Sequence, residues 1–243
     1  MKNLLTFIFF ITALVLFVQL IQAKTADEII SKYIEARGGL EKLNAIKSIY
    51  MQGYKDIMGS TISMTVFKQQ DAFSRTDFMI NDKKGFLLIS AKEGWSFIPG
   101  IHDQAEKISD QRLILMQTEL DITGPLVDYT SKGNKVELVG KEEVNGIATY
   151  KIKATLPSGY IINYFIDRKT YLIIQTRQYS IPEITEANII NREIVFNMGN
   201  YRSVDGILFP YTISNSGDQE MSGEINYSII QINIPVQENL YTI

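Results

Sequence analysis

The 243-residue chain contains no cysteine, one histidine and one tryptophan. Without cysteine there is no disulfide framework, no thiolate metal site, no cysteine nucleophile and no N-terminal cysteine to carry lipid. His102 has no second imidazole or thiolate to join it, so no metal site is expected, and any serine triad would have to use it. No nucleophile elbow occurs: Gly94-Trp95-Ser96-Phe97-Ile98 begins like one but lacks the closing glycine. Walker A and dinucleotide-binding glycine patterns are also absent, and no cofactor is expected. The acidic pairs Asp27-Glu28 and Glu142-Glu143 are adjacent in sequence, so their side chains diverge. A carboxylate pair assembled from distant strands is the one enzymatic arrangement left open, with nothing in favour of it. The 24 Lys and Arg residues are outnumbered by 27 Asp and Glu and form no basic stripe, so nucleic acid is not an expected partner.

Long hydrophobic runs are missing too, except at the start. Lys2 precedes Leu4–Val18, apolar apart from Thr6 and Thr12, and Gln19–Ala23 is more polar and ends in a small residue. This is the layout of a secretory signal peptide cleaved after Ala23. An uncleaved anchor is the alternative, but the run falls short of the ~20 apolar residues a spanning helix needs. The expected organisation is a signal peptide over 1–23 and a single domain over 24–243. An exported domain without disulfides must rely on its core, and all-β domains reach this size.

What the chain has in quantity is aromatic residues, with 13 Tyr and 12 Phe. Such residues fill β cores and line apolar pockets. Thr25-Ala-Asp-Glu28 is a capping box. Ile30, Tyr33, Ile34 and Arg37 follow on one helical face, with Arg37 at its edge, and Gly38-Gly39 ends the helix. Leu40, Leu43 and Ile46 suggest a second short helix. From Ser48 the period becomes two: Ile62, Met64 and Val66 alternate with polar residues, as do Tyr150, Ile152 and Ala154. Asn145-Gly146 is the strongest of several hairpin signals. Tyr160–Ile213 reads as consecutive hairpins turning at Asp167–Thr170 and Asp205-Gly206, joined by an extended connection around Ile181–Glu186. One helix is expected over Ser109–Ile122, with Leu113, Met116 and Leu120 on one face, and Leu115 and Ile122 roughly opposite. Apolar on more than one side, it should be buried on more than one side and cover the inner side of the sheet. The fold class is therefore mainly β with covering helices, an α+β arrangement.

Trp95 and Phe97, two apart, must face the same way on a strand. Ordinary core packing is the commoner fate of such aromatics, but a curved sheet with one helical cover tends to enclose a cavity. The expected wall of that cavity is Met64, Val66, Phe73, Trp95 and Phe97, with Tyr150, Ile152 and Phe196 as further candidates. Leu113, Met116 and Leu120 would face it from the covering helix.

The order of these elements resembles the outer-membrane lipoprotein-sorting proteins of the LolA/LolB-like superfamily. The resemblance is carried by the broken opening helix, the segment Gln117–Leu126, and the strand and turn patterns of Val139–Ile152, Tyr164–Leu172 and Tyr201–Pro210. It spans nearly all of the chain after residue 23. It implies an incomplete antiparallel β-barrel around a hydrophobic cavity, with a helical lid. It further implies a periplasmic carrier that shields the acyl chains of a lipoprotein or lipid, with an inner-membrane donor and an outer-membrane acceptor as partners and no catalysis. A lipid-sensing regulatory module on the same fold is the alternative. In the family's carriers a basic residue near the turn between the second and third strands helps hold the lid. Here Gln69 stands where an arginine is expected, leaving Lys68 or Arg75 as substitutes.

Overall fold

The computed structural model describes residues 24–57, 59–180, 183–184, 189–190, 192–217 and 222–235, so the expected signal segment lies outside the described residues. Helix α1 spans Ala26–Arg37. The Thr25 hydroxyl accepts from the Glu28 N–H at 3.2 Å, and the Glu28 carboxylate accepts from the Thr25 N–H at 3.0 Å, completing the capping box. Gly38 ends the helix at φ 127, and a Cβ there would stand 2.4 Å from the Gly206 carbonyl oxygen. Helix α2, Leu40–Asn44, follows, with Leu43 buried and Leu40 exposed.

The strands run β1 Ser48–Ile57, β2 Ser60–Gln69, β3 Phe73–Ile80, β4 Lys83–Ser90, β5 Gly94–Phe97 and β6 Glu106–Lys107. Helix α3, Asp110–Met116, and a 3-10 turn, Gln117–Leu120, then interrupt them. Next come β7 Lys135–Val144, β8 Ile147–Thr155, β9 Ile161–Asp167, β10 Ile173–Tyr179, the short pair β11 Glu183–Ile184 and β12 Ile189–Ile190, β13 Glu193–Val204, β14 Ile207–Ser216 and β15 Gly223–Ile232. One 13-stranded sheet has the order β6-β5-β4-β3-β2-β1-β15-β14-β13-β10-β9-β8-β7. It is antiparallel and open, with β6 and β7 as its edges. The pairing of β1 with β15 joins two meanders in the middle. Edge strand β7 exposes Lys135, Glu137, Lys141 and Glu143 and carries a register shift beside Gly140, features that discourage a further strand from adding.

The turn chemistry follows the sequence. Asn145-Gly146 and Asp205-Gly206 have positive φ at both positions, the mark of a two-residue type I′ hairpin. The Asp167 carboxylate accepts from the Lys169 N–H at 2.9 Å and from the Thr170 hydroxyl at 2.8 Å, which closes the next hairpin. The single helix expected over Ser109–Ile122 is instead divided. Ser109 makes no side-chain cap. The Thr118 hydroxyl donates to the Leu115 carbonyl at 2.7 Å, and the Gln117 amide reaches the Ser90 and Ala91 carbonyls at 3.1 and 2.9 Å. These bonds pull the last turn into 3-10 form.

Residues directly opposite in adjacent strands share a face, and this sorts the core. The main cluster packs Ile29, Ile30 and Tyr33 of α1, with Leu43 and Ile46, against Tyr150, Ile152, Ala154, Tyr164, Ile166, Ile207, Phe209 and Ile49. A second cluster packs Ile108, Leu113 and Leu120 on Ile89. Ile49 is joined to Ile89 by one row, through Lys68 and Ser74, so every described helix lies on the same face. Each fully buried aliphatic side chain there contributes about 1.5–3 kcal/mol. A third cluster, Phe67, Phe73 and Leu88, lies on the opposite face.

Candidate functional site

The helices cover only one end of their face. Antiparallel hairpins place the turns at 70–72, 91–93, 145–146, 168–171 and 205–206 together at one end of the sheet. The helical segments are tied to that end. Gly38 abuts the turn at Gly206, the Asp71 N–H donates to the Leu120 carbonyl at 3.0 Å, and Gln117 bonds to Ser90 and Ala91. In β14 and β2 burial falls toward the other end, whereas in β8 and β9 Ala154 and Ile162 near that end stay buried. In β14, Ile207, Phe209 and Tyr211 are buried but Ile213 is half-buried; in β2, Val66 is buried but Met64 and Ile62 are half-buried.

Two rows of apolar side chains cross this open stretch. In one, Met198 opposes Ile213, Ile213 opposes Ile225, Ile225 opposes Lys55 and Lys55 opposes Ile62. In the other, Tyr227 opposes Gly53, Gly53 opposes Met64 and Met64 opposes Phe78. From β13 to β3 the rows extend about 24 Å, at the usual ~4.8 Å between strands. Burial pushes the Tyr227, Tyr201 and Tyr164 hydroxyls well above their ordinary range and Tyr160 up to about 12, so all stay neutral at physiological pH.

Polar clips hold the covered end. Arg37 is buried: its Nε donates to the Leu208 carbonyl at 3.2 Å, and one terminal nitrogen donates to the Tyr33 hydroxyl at 3.1 Å and the Thr123 carbonyl at 3.2 Å. The edge position read from the sequence is thus a junction between α1, β14 and the segment after the 3-10 turn. Lys132 gathers the Asp121 carboxylate, the Thr123 hydroxyl and the Gly124 carbonyl at 2.7, 2.9 and 3.1 Å. The 3-10 turn is clipped to β2 by the Lys68–Glu119 ion pair. The Gln70 side chain accepts from the Ile122 N–H at 2.8 Å. The Lys68 ammonium holds the Glu119 carboxyl below the usual carboxylate range. Of the two substitutes weighed for Gln69, Lys68 makes this contact, whereas Arg75 lies on the other face, paired with Asp77 at 2.9 Å.

The sequence-predicted wall residues fall into separate places. Met64 and Phe196 stand on the open stretch; Phe196 opposes Thr176, which opposes the core residue Tyr164. Val66, Tyr150 and Ile152 are on the same face but buried. Leu113, Leu120 and half-buried Met116 turn toward the sheet, and a Cβ on Gly94 would stand 3.0 Å from Leu113 Cδ1. Ile114, on the outer side of α3, is 51% exposed, so the helix is not buried all round. Phe73, Trp95 and Phe97 turn the other way. Phe73 stacks on Phe67 with centroids 5.9 Å apart, Phe97 lies 6.5 Å from Phe86, and Trp95 opposes Leu88. Ile62, Phe78, Met198, Ile213, Ile225 and Tyr227 were not among the wall residues expected from the sequence. The alternation in β2 that identified Met64 also marks Ile62; the rest required the strand order.

The opposite face carries ion pairs beside its cluster of Phe67, Phe73 and Leu88. Glu142 pairs with Lys151 at 3.3 Å and Arg177 at 2.9 Å, and the Arg177 guanidinium covers the Phe165 ring at 4.2 Å. A hollow of about 510 Å³ beside β1–β4 is lined by Gln52, Thr65, Arg75, Asp77 and Lys84 and is also bordered by Gly53, Met64 and Phe78 of the apolar row. Among the described residues, no group of three or more His, Cys, Asp or Glu side chains is placed to hold a metal ion, and no helix is long and apolar enough to cross a membrane.

No family model matches the chain, and no curated protein matches it. Solved structures do. A LolA superfamily protein from Nitrosomonas europaea aligns over 90% of this chain and 98% of its own, with a TM-score of 0.57 and 14% identity. A DUF1329 family protein from Desulfovibrio piger gives the same coverage and TM-score at 12% identity. A domain named for outer membrane lipoprotein sorting, from Vibrio parahaemolyticus, aligns over 88% of this chain and 94% of its own, with a TM-score of 0.53 and 14% identity. At these identities it is the fold that is shared. The chain has a LolA-like fold.

Proposed function

We propose that this chain is a carrier. It takes the acyl chains of a lipoprotein or lipid onto the open stretch of its helix-bearing face, conveys them through the periplasm toward the outer membrane, and performs no chemistry on them. The observation that carries this reading is the pair of half-buried apolar rows beside a sealed core. Soluble proteins rarely leave so long an apolar strip without a use for it. Each methylene buried there gains about 0.8 kcal/mol, and release breaks no specific bond. The LolA-like fold supports the same reading. The segment α3 with its 3-10 turn acts as the movable cover, because it rests on a small cluster and on side-chain clips, whereas α1 is built into the main core. The partners are the acylated cargo, an inner-membrane donor and an outer-membrane acceptor.

The test is purification from the native host followed by native mass spectrometry, with uptake of a fluorescent fatty acid by the delipidated protein. Co-purifying acyl species and saturable uptake are expected. Protein that carries no lipid and takes up none would overturn the proposal.

A further inference from the structure

Burial keeps the hydroxyls of Tyr160, Tyr164, Tyr201 and Tyr227 neutral, yet the chain provides for them unequally. Tyr201 donates to the Ile173 carbonyl at 2.7 Å and Tyr160 to the Tyr179 carbonyl at 3.1 Å. Tyr164 and Tyr227 have no hydrogen-bond partner among the described residues. Both belong to the helix-bearing face. Tyr164 is part of the main core cluster and only 6% exposed, and half-buried Tyr227 packs against that cluster from the row of Gly53, Met64 and Phe78. A buried donor that makes no hydrogen bond costs stability, so two such hydroxyls on one face call for an acceptor.

Access to these two oxygens is open. Among the described residues, Trp95 Nε1 alone is a side-chain nitrogen or oxygen both sealed from solvent and unpartnered. The Tyr164 and Tyr227 oxygens are unpartnered but not sealed, so each reaches accessible space although the ring of Tyr164 is enclosed. Electrostatics relates the two. Burial is the first cause of both raised pKa values, and the Glu119 carboxylate on the 3-10 turn is a further cause in each. Both hydroxyls therefore lie around that turn. Tyr164 reaches it from β9, beside Thr176 and then Phe196, and Tyr227 from β15, beside Gly53 and then Met64. We infer that the Tyr164 and Tyr227 hydroxyls donate to the carbonyl oxygens of an acyl ester or amide whose chain lies along the apolar rows. A neutral phenol and a neutral carbonyl satisfy each other without burying a charge. This rests on the acyl-chain reading above and names the polar group that accompanies the chain.

The experiment is displacement of the neutral probe N-phenyl-1-naphthylamine by methyl palmitate, N-methylpalmitamide and methyl hexadecyl ether. The three share a chain length, and the ether lacks the carbonyl. Tyr164→Phe and Tyr227→Phe should each weaken the ester and the amide about fivefold, the size of one neutral hydrogen bond, and leave the ether unchanged. Neither variant should lower the urea midpoint, because no bond within the chain is lost. Tyr201→Phe, which does lose one, should lower the midpoint and keep the native ratio of ester to ether affinity. An ester loss no larger than the ether loss in either variant, or a midpoint lowered as far as in Tyr201→Phe, would overturn the inference while leaving the acyl-chain reading intact. Displacement by none of the three would overturn both.

Discussion

The sealed and open regions of the helix-bearing face share β14 and the same alternating pattern, yet they differ in what lies above them. At one end Ile29, Ile30 and Tyr33 of α1 seal Ile152, Ile166 and Phe209 completely. At the other, Met64, Phe78, Ile213 and Ile225 remain half-buried. An apolar strand face is therefore not in itself either core or binding surface; the cover decides. The sealed end provides stability, and the proposed ligand completes the open end.

Substitutions should separate these two ends. The largest effect on stability belongs to the sealed end. Leu43→Ala should cost about 2–5 kcal/mol in urea denaturation, because Leu43 is fully buried and leaves a cavity. Arg37→Met should cost somewhat less, about 2–4 kcal/mol, by leaving the Thr123 and Leu208 carbonyls without their donor. Neither loss should be accompanied by a change in ligand affinity once the residual folded fraction is taken into account. At the open end the pattern should invert. Met64→Asp should cost at most about 1 kcal/mol, since the side chain is half-buried, but should abolish uptake of a fluorescent fatty acid. Phe97→Ser, on the other face, should leave uptake unchanged; loss of uptake in Phe97→Ser would break the distinction between the faces.

The smallest effect concerns the clip on the cover. Lys68 lowers the Glu119 pKa in the folded protein, so this pair's contribution is present above the ordinary carboxylate range near 4.5 and is lost as pH falls through the depressed value. The Glu119 side chain is 60% exposed, so solvent screening limits the contribution to about 0.5 kcal/mol. Lys68→Met should lower hydrogen-exchange protection across α3 and the 3-10 turn at pH 7, and the difference from the native chain should shrink as pH falls below the ordinary carboxylate range.

Much of this architecture was legible in the sequence, for identifiable reasons. Asn145-Gly146 and Asp205-Gly206 fix two hairpins through their own backbone preferences, and the alternation of Tyr150, Ile152 and Ala154 fixes which of their neighbours point inward. The face that Phe73, Trp95 and Phe97 occupy was not legible. A period of two says that Trp95 and Phe97 point the same way; only the register set by pairing with β4 says which way. The role of Arg37 was hidden because its backbone acceptors lie 86 and 171 residues away. The break in Ser109–Ile122 was hidden for a similar reason: its apolar pattern is helical throughout, and the bonds from Gln117 to the β4–β5 turn are tertiary. The open stretch itself depends on six adjacent strands drawn from both meanders, and no local pattern reports their order.

The most direct test of ligand binding on the open stretch uses methionine methyl groups as reporters. Met64 and Met198 stand in the apolar rows, Met51 lies nearer the sealed end, and Met79 opposes Lys84 on the other face. Titrating 13C-methyl-methionine protein with palmitate and following the methyl resonances should shift Met64 and Met198 strongly, Met51 less, and Met79 not at all. Shifts concentrated at Met79, or saturable binding that leaves Met64 and Met198 unmoved, would contradict the account.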